Sequence, residues 1–378
     1  MRKARGVRLA ALFATVLMTL MPATVFGNGI GTIFVLSPEA GRIAIFERSS
    51  HSLVATADVG EGAHSVAFSP DAKFGYVVST GAGHLAVVDR DLYQVTERIP
   101  TGGTPLHAAA APTGQRVYLT TRSTSALVVL DLVGPAGRKQ IPLAGPGHGL
   151  AVSADDRRVY VAVPDSATMP SVDPGTGEVA AQVAVGTGAT HVTFSPDGGW
   201  LYVLRPDAES VEVVDPRNDR VVTSISVGPG ITDLAFSPDG KQALLSGAGP
   251  QQLTVIDVTA HRVANRVGLP VSDAATGVAA DAGSGATVDP GYAYLAVPTQ
   301  NRVYVLERQT WTVVRQISVD RPETVTVVPN PFVLQVVPRE LPNTGSGQTS
   351  DAWLIGTALL MLTGLKLVGG ALSRVTRK

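Results

Sequence analysis

A repeat whose register hardly slips runs through most of the 378 residues of the chain. Phe68, Ala110, Val152, Phe194, Phe236 and Val278 stand 42 residues apart in succession. A second column holds Phe34, Tyr76, Tyr118, Tyr160, Tyr202 and Leu244, and a third holds Glu47, Asp89, Asp131, Asp173, Asp215 and Asp257. After an insertion of eight residues in the Gly- and Ala-rich stretch 281–291, the register resumes at Tyr294, Glu307 and Val328. Each column then has seven members.

Within a copy, short apolar runs alternate with turn signals. The clearest copy, residues 191–228, has turns at 195–198 (Ser-Pro-Asp-Gly), 206–209 and 215–219, which predicts strands at 191–194, 201–204, 210–214 and 220–225. Composition agrees: 40 Gly and 26 Pro with 16% charged residues suit many tight turns between apolar strands. Four strands per 40 to 45 residues is the pattern of a β-propeller blade, which must stack on neighbours to bury both of its faces. The first copy, starting near Ile33, lacks its first strand, while the last consists only of a first strand, 324–329. Joined, they make one composite blade and remove an open sheet edge. The expected fold is therefore all-β: a seven-bladed β-propeller of four-stranded antiparallel blades over 31–330, closed by pairing the N- and C-terminal segments in one blade. The unit VGTGATHVTFSPDGGWLYVLRPDAESVEVVDPRNDRVVTSISVG resembles the YVTN-type propeller repeat of archaeal surface-layer and bacterial exported proteins, although Tyr202-Val203-Leu204-Arg205 departs from the eponymous tetrad.

Both ends read as processing signals. Arg2, Lys3, Arg5 and Arg8 precede an apolar run to Phe26, the pattern of a secretory signal peptide over 1–27; cleavage after Gly27 fits, with Ala23 as a competing site and an uncleaved anchor as the other possibility. At the other end a linker, 331–351, contains Leu341, Pro342, Asn343, Thr344 and Gly345; a hydrophobic span, 352–373, and a basic tail, 374–378, follow. This order resembles the LPxTG sorting signal of Gram-positive surface proteins. The resemblance implies sortase as a partner, cleavage between Thr344 and Gly345, and linkage to cell-wall peptidoglycan at the extracellular surface. A plain C-terminal membrane anchor is the alternative, because about 20 apolar residues span a bilayer unaided.

Charge and composition exclude several function classes. Residues 28–344 carry 22 Lys plus Arg (30 minus 8) against 30 Asp plus Glu (31 minus 1), a net charge near minus 8 that disfavours nucleic acid. With no cysteine, disulfides and thiolate metal sites are excluded. No G-x-S-x-G, H-E-x-x-H or GxxxxGK[ST] motif occurs, so no catalytic residue, cofactor or metal ligand set is assigned. The acidic column ends apolar strands just before turns, where a carboxylate closes the turn, and the tyrosines read as core.

The histidines are the remaining candidates. His64, His107, His148 and His191 open the first strand of four successive copies, at the mouth of the expected channel; a later copy has Asp233 and no equivalent histidine. Imidazoles there suit a metal or anionic ligand. However, His64 and His148 lie four residues before their column anchors, and His107 and His191 lie three. Strict strand alternation turns these pairs to opposite faces and speaks against one shared centre. The leading expectation is a secreted, wall-anchored module that binds a protein or glycan through its loops or serves in a surface layer. The alternative is an exported propeller enzyme, lactonase-like or oxidoreductase, or a metal- or cofactor-binding propeller that uses the channel-mouth histidines.

Overall fold

The computed structural model describes residues 31–133, 137–247, 252–269, 277–280 and 291–328. The signal segment 1–27, the linker and sorting motif 331–351, the span 352–373, the tail and most of the insertion lie outside them. Among the described residues, no helix is long and apolar enough to cross a membrane.

These residues form seven four-stranded antiparallel sheets. The clearest copy folds as His191–Phe194, Leu201–Arg205, Ser210–Asp215 and Arg220–Ser226, each within a residue of its expected bounds. Burial explains the pattern within each blade. The two middle strands are covered on both faces by the neighbouring blades, so Leu201–Leu204 and Ser210–Asp215 are buried continuously and read as near-continuous apolar runs. The outer strand Arg220–Ser226 has one face in solvent and alternates accordingly.

The ring closes as its register requires. Thr324–Val328 pairs antiparallel with Thr32–Ser37, from Thr32 opposite Val328 to Leu36 opposite Thr324. Innermost strands touch in closed order: Thr324–Val328, Ala63–Phe68, Pro105–Ala110, Leu150–Val152, His191–Phe194, Ile231–Phe236, Gly277–Ala280 and back to Thr324–Val328. They line the central channel.

The acidic column serves the turns. Asp89 Oδ1 accepts the Asp91 and Leu92 N–H groups, Asp173 Oδ1 those of Gly175 and Thr176, and Asp257 Oδ1 those of Thr259 and Ala260. A further column appears at the tip of the same turns, where His51, Tyr93, Gly177, Asp219, His261 and Trp311 all adopt positive φ. Its side chains meet the tyrosine column of the preceding blade. Tyr160 Oη donates to Asp219 Oδ1 at 2.7 Å, Tyr202 Oη lies 2.9 Å from His261 Nδ1, and Tyr294 Oη lies 3.3 Å from His51 Nε2. Where the inner residue has no hydroxyl, the partner is aromatic: Tyr93 packs on the cluster of Phe34, and Trp311 on that of Leu244. Gly177 has no side chain to offer, and Tyr118 Oη donates instead to Asp156 Oδ1 at 2.8 Å.

Candidate functional site: an imidazole cluster in the channel

The four histidines converge. Ring centroids are 4.8 Å apart for His64 and His107, 4.8 Å for His107 and His148, 4.9 Å for His107 and His191, and 5.0 Å for His148 and His191. His64 is 6.5 Å from His148. This overturns the expectation from strict alternation. The four residues fall alternately on two adjacent columns, His64 and His148 on one, His107 and His191 on the next. In each blade both columns sit at a bulge, where the ladder is broken and side chains are re-aimed.

The hydrogen bonds show these bulges directly. Register shifts between Ala63 and Ser65, and between Pro105 and Ala108. Ala162 receives the His148 N–H and donates its own N–H to the Gly149 carbonyl, so two residues face one. Leu204 likewise faces both His191 and Thr190, whose N–H it accepts. Gly149 permits this crossing, because a Cβ there would stand 2.7 Å from the Thr190 carbonyl oxygen and 2.8 Å from the His191 Cα.

Two threonines orient the cluster. The Thr190 carbonyl lies 3.0 Å from His148 Nδ1; a carbonyl only accepts, so Nδ1 carries the proton and Nε2 keeps its lone pair. Thr190 Oγ1 lies 3.3 Å from His191 Nδ1 and donates its single proton toward the Leu204 carbonyl at 3.5 Å, which leaves it to accept from His191. Thr120 receives the His107 N–H at 3.2 Å and donates to the His148 carbonyl. The Nε2 atoms of His107 and His64 are buried and have no hydrogen-bond partner among the described residues. His64 Nδ1 faces Glu323 Oε1 at 3.5 Å.

One nitrogen from each of His107, His148 and His191 lies within 4.8 Å of the others. Burial holds all three rings neutral. It drives His107 well below the ordinary imidazole range, helped by His191, His64 and His148. Burial, with His64, lowers His148 to about 4; burial, with His148 and His64, lowers His191 to about 3. Asp233 sits at the matching bulge, where register shifts between Ile231 and Asp233, and accepts the Leu234 N–H; it stands outside the three-imidazole group. Loops at this end of the ring carry exposed Glu39, Glu61, Asp165, Asp207, Glu209 and Asp320 against exposed Arg122 and Arg321. Thr120, Thr190, Gly149 and Glu323 were not singled out by sequence. The 42-residue columns that align Thr190 with His148 and Gly149 with His191 hold the signal for two of them.

The sequence matches the model of the YNCE-like beta-propeller family over residues 61–284, more than half of the chain. The chain belongs to that family. No curated protein matches it in sequence. Among solved structures it is similar to the periplasmic gluconolactonase PpgL of Pseudomonas aeruginosa, at 16% identity and a TM-score of 0.65 over 80% of this chain and 99% of that one. It is also similar to apo AztD of Citrobacter koseri, at 13% identity and a TM-score of 0.58 over 79% and 98%. Hydrazine synthase of Kuenenia stuttgartiensis matches at 19% identity and a TM-score of 0.62 over 71% and 90%. At these identities the likeness is one of fold.

Proposed function

We propose that this propeller is displayed at the cell surface and binds a late first-row divalent metal ion, of the Zn²⁺, Cu²⁺ or Ni²⁺ type, in its channel. The observation that carries the reading is the approach of one nitrogen each from His107, His148 and His191 to within 4.8 Å. An all-imidazole donor set suits those ions, whereas Mg²⁺ and Ca²⁺ require oxygen ligands. Rings sharing one tetrahedral ion, with metal–nitrogen bonds of about 2.0–2.1 Å, have centroids about 5 Å apart. The three observed separations of 4.8, 4.9 and 5.0 Å match that spacing. The acidic loops around this end attract cations. On this reading the ligand is an ion, in place of the protein or glycan that the loops alone suggested.

Titration of chelator-stripped protein with Zn²⁺ tests the reading. One equivalent should bind to the unaltered chain and none to the His148→Ala, His191→Ala double variant. Equal uptake by both, or none by either, overturns it.

Display rests on the ends of the sequence. A basic n-region and apolar run support export, and Leu341 to Gly345, ahead of a span and a basic tail, support sortase-mediated linkage to peptidoglycan. Thr344→Ala should move the protein from the wall to the membrane fraction with its C-terminus retained. Unchanged wall linkage rejects sortase processing.

A further inference from the structure

His64 is gripped at two points, by the first residue of the last strand and by the residue before it. The Thr324 hydroxyl donates to the His64 carbonyl at 2.9 Å, and the Glu323 carboxylate faces its Nδ1 at 3.5 Å. That leaves Nε2, which is buried and has no partner among the described residues. A carboxylate behind the outer nitrogen of an imidazole whose inner nitrogen is free is the usual support for a metal-ligating histidine. The ring of His64 already stands 4.8 Å from that of His107, the spacing of a shared ion, and 6.5 Å from that of His148, just outside the three-imidazole group.

We propose that His64 is the fourth ligand of the channel ion and that Glu323 and Thr324 position it, so that loading the ion and fastening the closing strand are one event. The inference rests on the three-histidine reading above and deepens it. Four imidazoles saturate a tetrahedral ion, and a saturated site holds its ion without an open position for substrate. The donors then come from four successive blades, and their clasp comes from the far end of the chain. An incompletely closed ring presents the three-histidine half-site alone.

Full-length protein, purified in detergent and stripped of metal, is titrated with Zn²⁺ against a chromophoric chelator. Glu323→Gln, which keeps size but removes the charge, should weaken Zn²⁺ binding by roughly 10–100-fold, and His64→Ala by at least as much. Co²⁺ gives a second readout: the strong visible absorption of a tetrahedral four-nitrogen site in the unaltered chain should weaken in His64→Ala. Hydrogen exchange on the unaltered chain gives a third, independent of any variant. Zn²⁺ should slow exchange at Thr324–Val328.

Unchanged affinity and unchanged Co²⁺ absorption in both variants overturn the fourth-ligand assignment while leaving the three-histidine site standing. Absence of slowing at Thr324–Val328 overturns the coupling to closure. Failure of the unaltered chain to take up Zn²⁺ removes the underlying reading and this one with it.

Discussion

Two rows of polar groups run around this ring, and they are treated in opposite ways. At the seams, Tyr118, Tyr160, Tyr202 and Tyr294 bury their rings and each hydroxyl meets a partner, Asp156, Asp219, His261 or His51. In the channel, the Nε2 atoms of His64 and His107 are buried with none among the described residues. Buried polar atoms in folded proteins are nearly always paired, and leaving one unpaired costs about 1–3 kcal/mol. These tyrosines therefore account for themselves as structure. The channel does not, and its unpaired nitrogens are intelligible as ligand atoms whose partner is an ion.

Replacing a channel imidazole by an apolar ring of similar size breaks this contrast most severely. His107→Phe removes a ligand and also an unpaired buried nitrogen, so Zn²⁺ affinity should fall by more than roughly 100-fold while stability stays level or rises. Isothermal titration and chemical denaturation of the same sample check both halves. A large stability loss with metal binding retained would make the histidines structural.

Acid provides the next largest effect, and its sign follows from burial. His148 and His191 ionise in the folded protein near pH 4 and 3, below the ordinary 6.5. The unfolded chain takes up those protons as pH falls through 6.5, while the folded chain does not. Their contribution is thus complete above pH 6.5 and is lost on acidification toward pH 4 for His148 and pH 3 for His191. Carboxylates with lowered values, such as Asp71, Asp155 and Asp197, lose stability in the lower part of that window too. The informative quantity is therefore the difference between metal-free wild type and His191→Phe. Wild type should lose more between pH 6.5 and 4, and parallel curves would mean that the imidazole is not held neutral.

The seams should respond in the reverse manner. Tyr160→Phe deletes a hydroxyl that donates to the Asp219 carboxylate at 2.7 Å, and a hydrogen bond to a charged group contributes about 1.5–3 kcal/mol. Denaturation should show that loss with Zn²⁺ affinity unchanged. A shift in affinity would mean that seam and channel are coupled.

The seams were legible in sequence and the channel only half so, for a physical reason. Period, turn chemistry and the tyrosine and acidic columns follow from local rules that repeat in every blade, and closure follows from one copy lacking what another supplies. The aromatic compensation of Phe34 by Tyr93 and of Leu244 by Trp311 was also readable, since those residues keep the same 42-residue register. The histidines were found but their meeting was not. Alternation holds only in a regular ladder, and the bulges at Ala63 to Ser65 and Pro105 to Ala108 break it where the site is built. Glu323 had no local signal at all, because it reaches His64 only when the last strand joins the first blade.

The smallest effect concerns the acidic column, which lies on the self-sufficient side of the contrast. Asp257 Oδ1 accepts the N–H groups of Thr259 and Ala260 at 2.9 and 3.1 Å, closing the turn before the outer strand. An amide oxygen accepts the same bonds, so Asp257→Asn should leave stability nearly unchanged, while Asp257→Ala should cost about 1 kcal/mol. The two variants separate acceptor from charge in thermal unfolding. An equal loss in both would show that negative charge, rather than turn geometry, is what this column supplies.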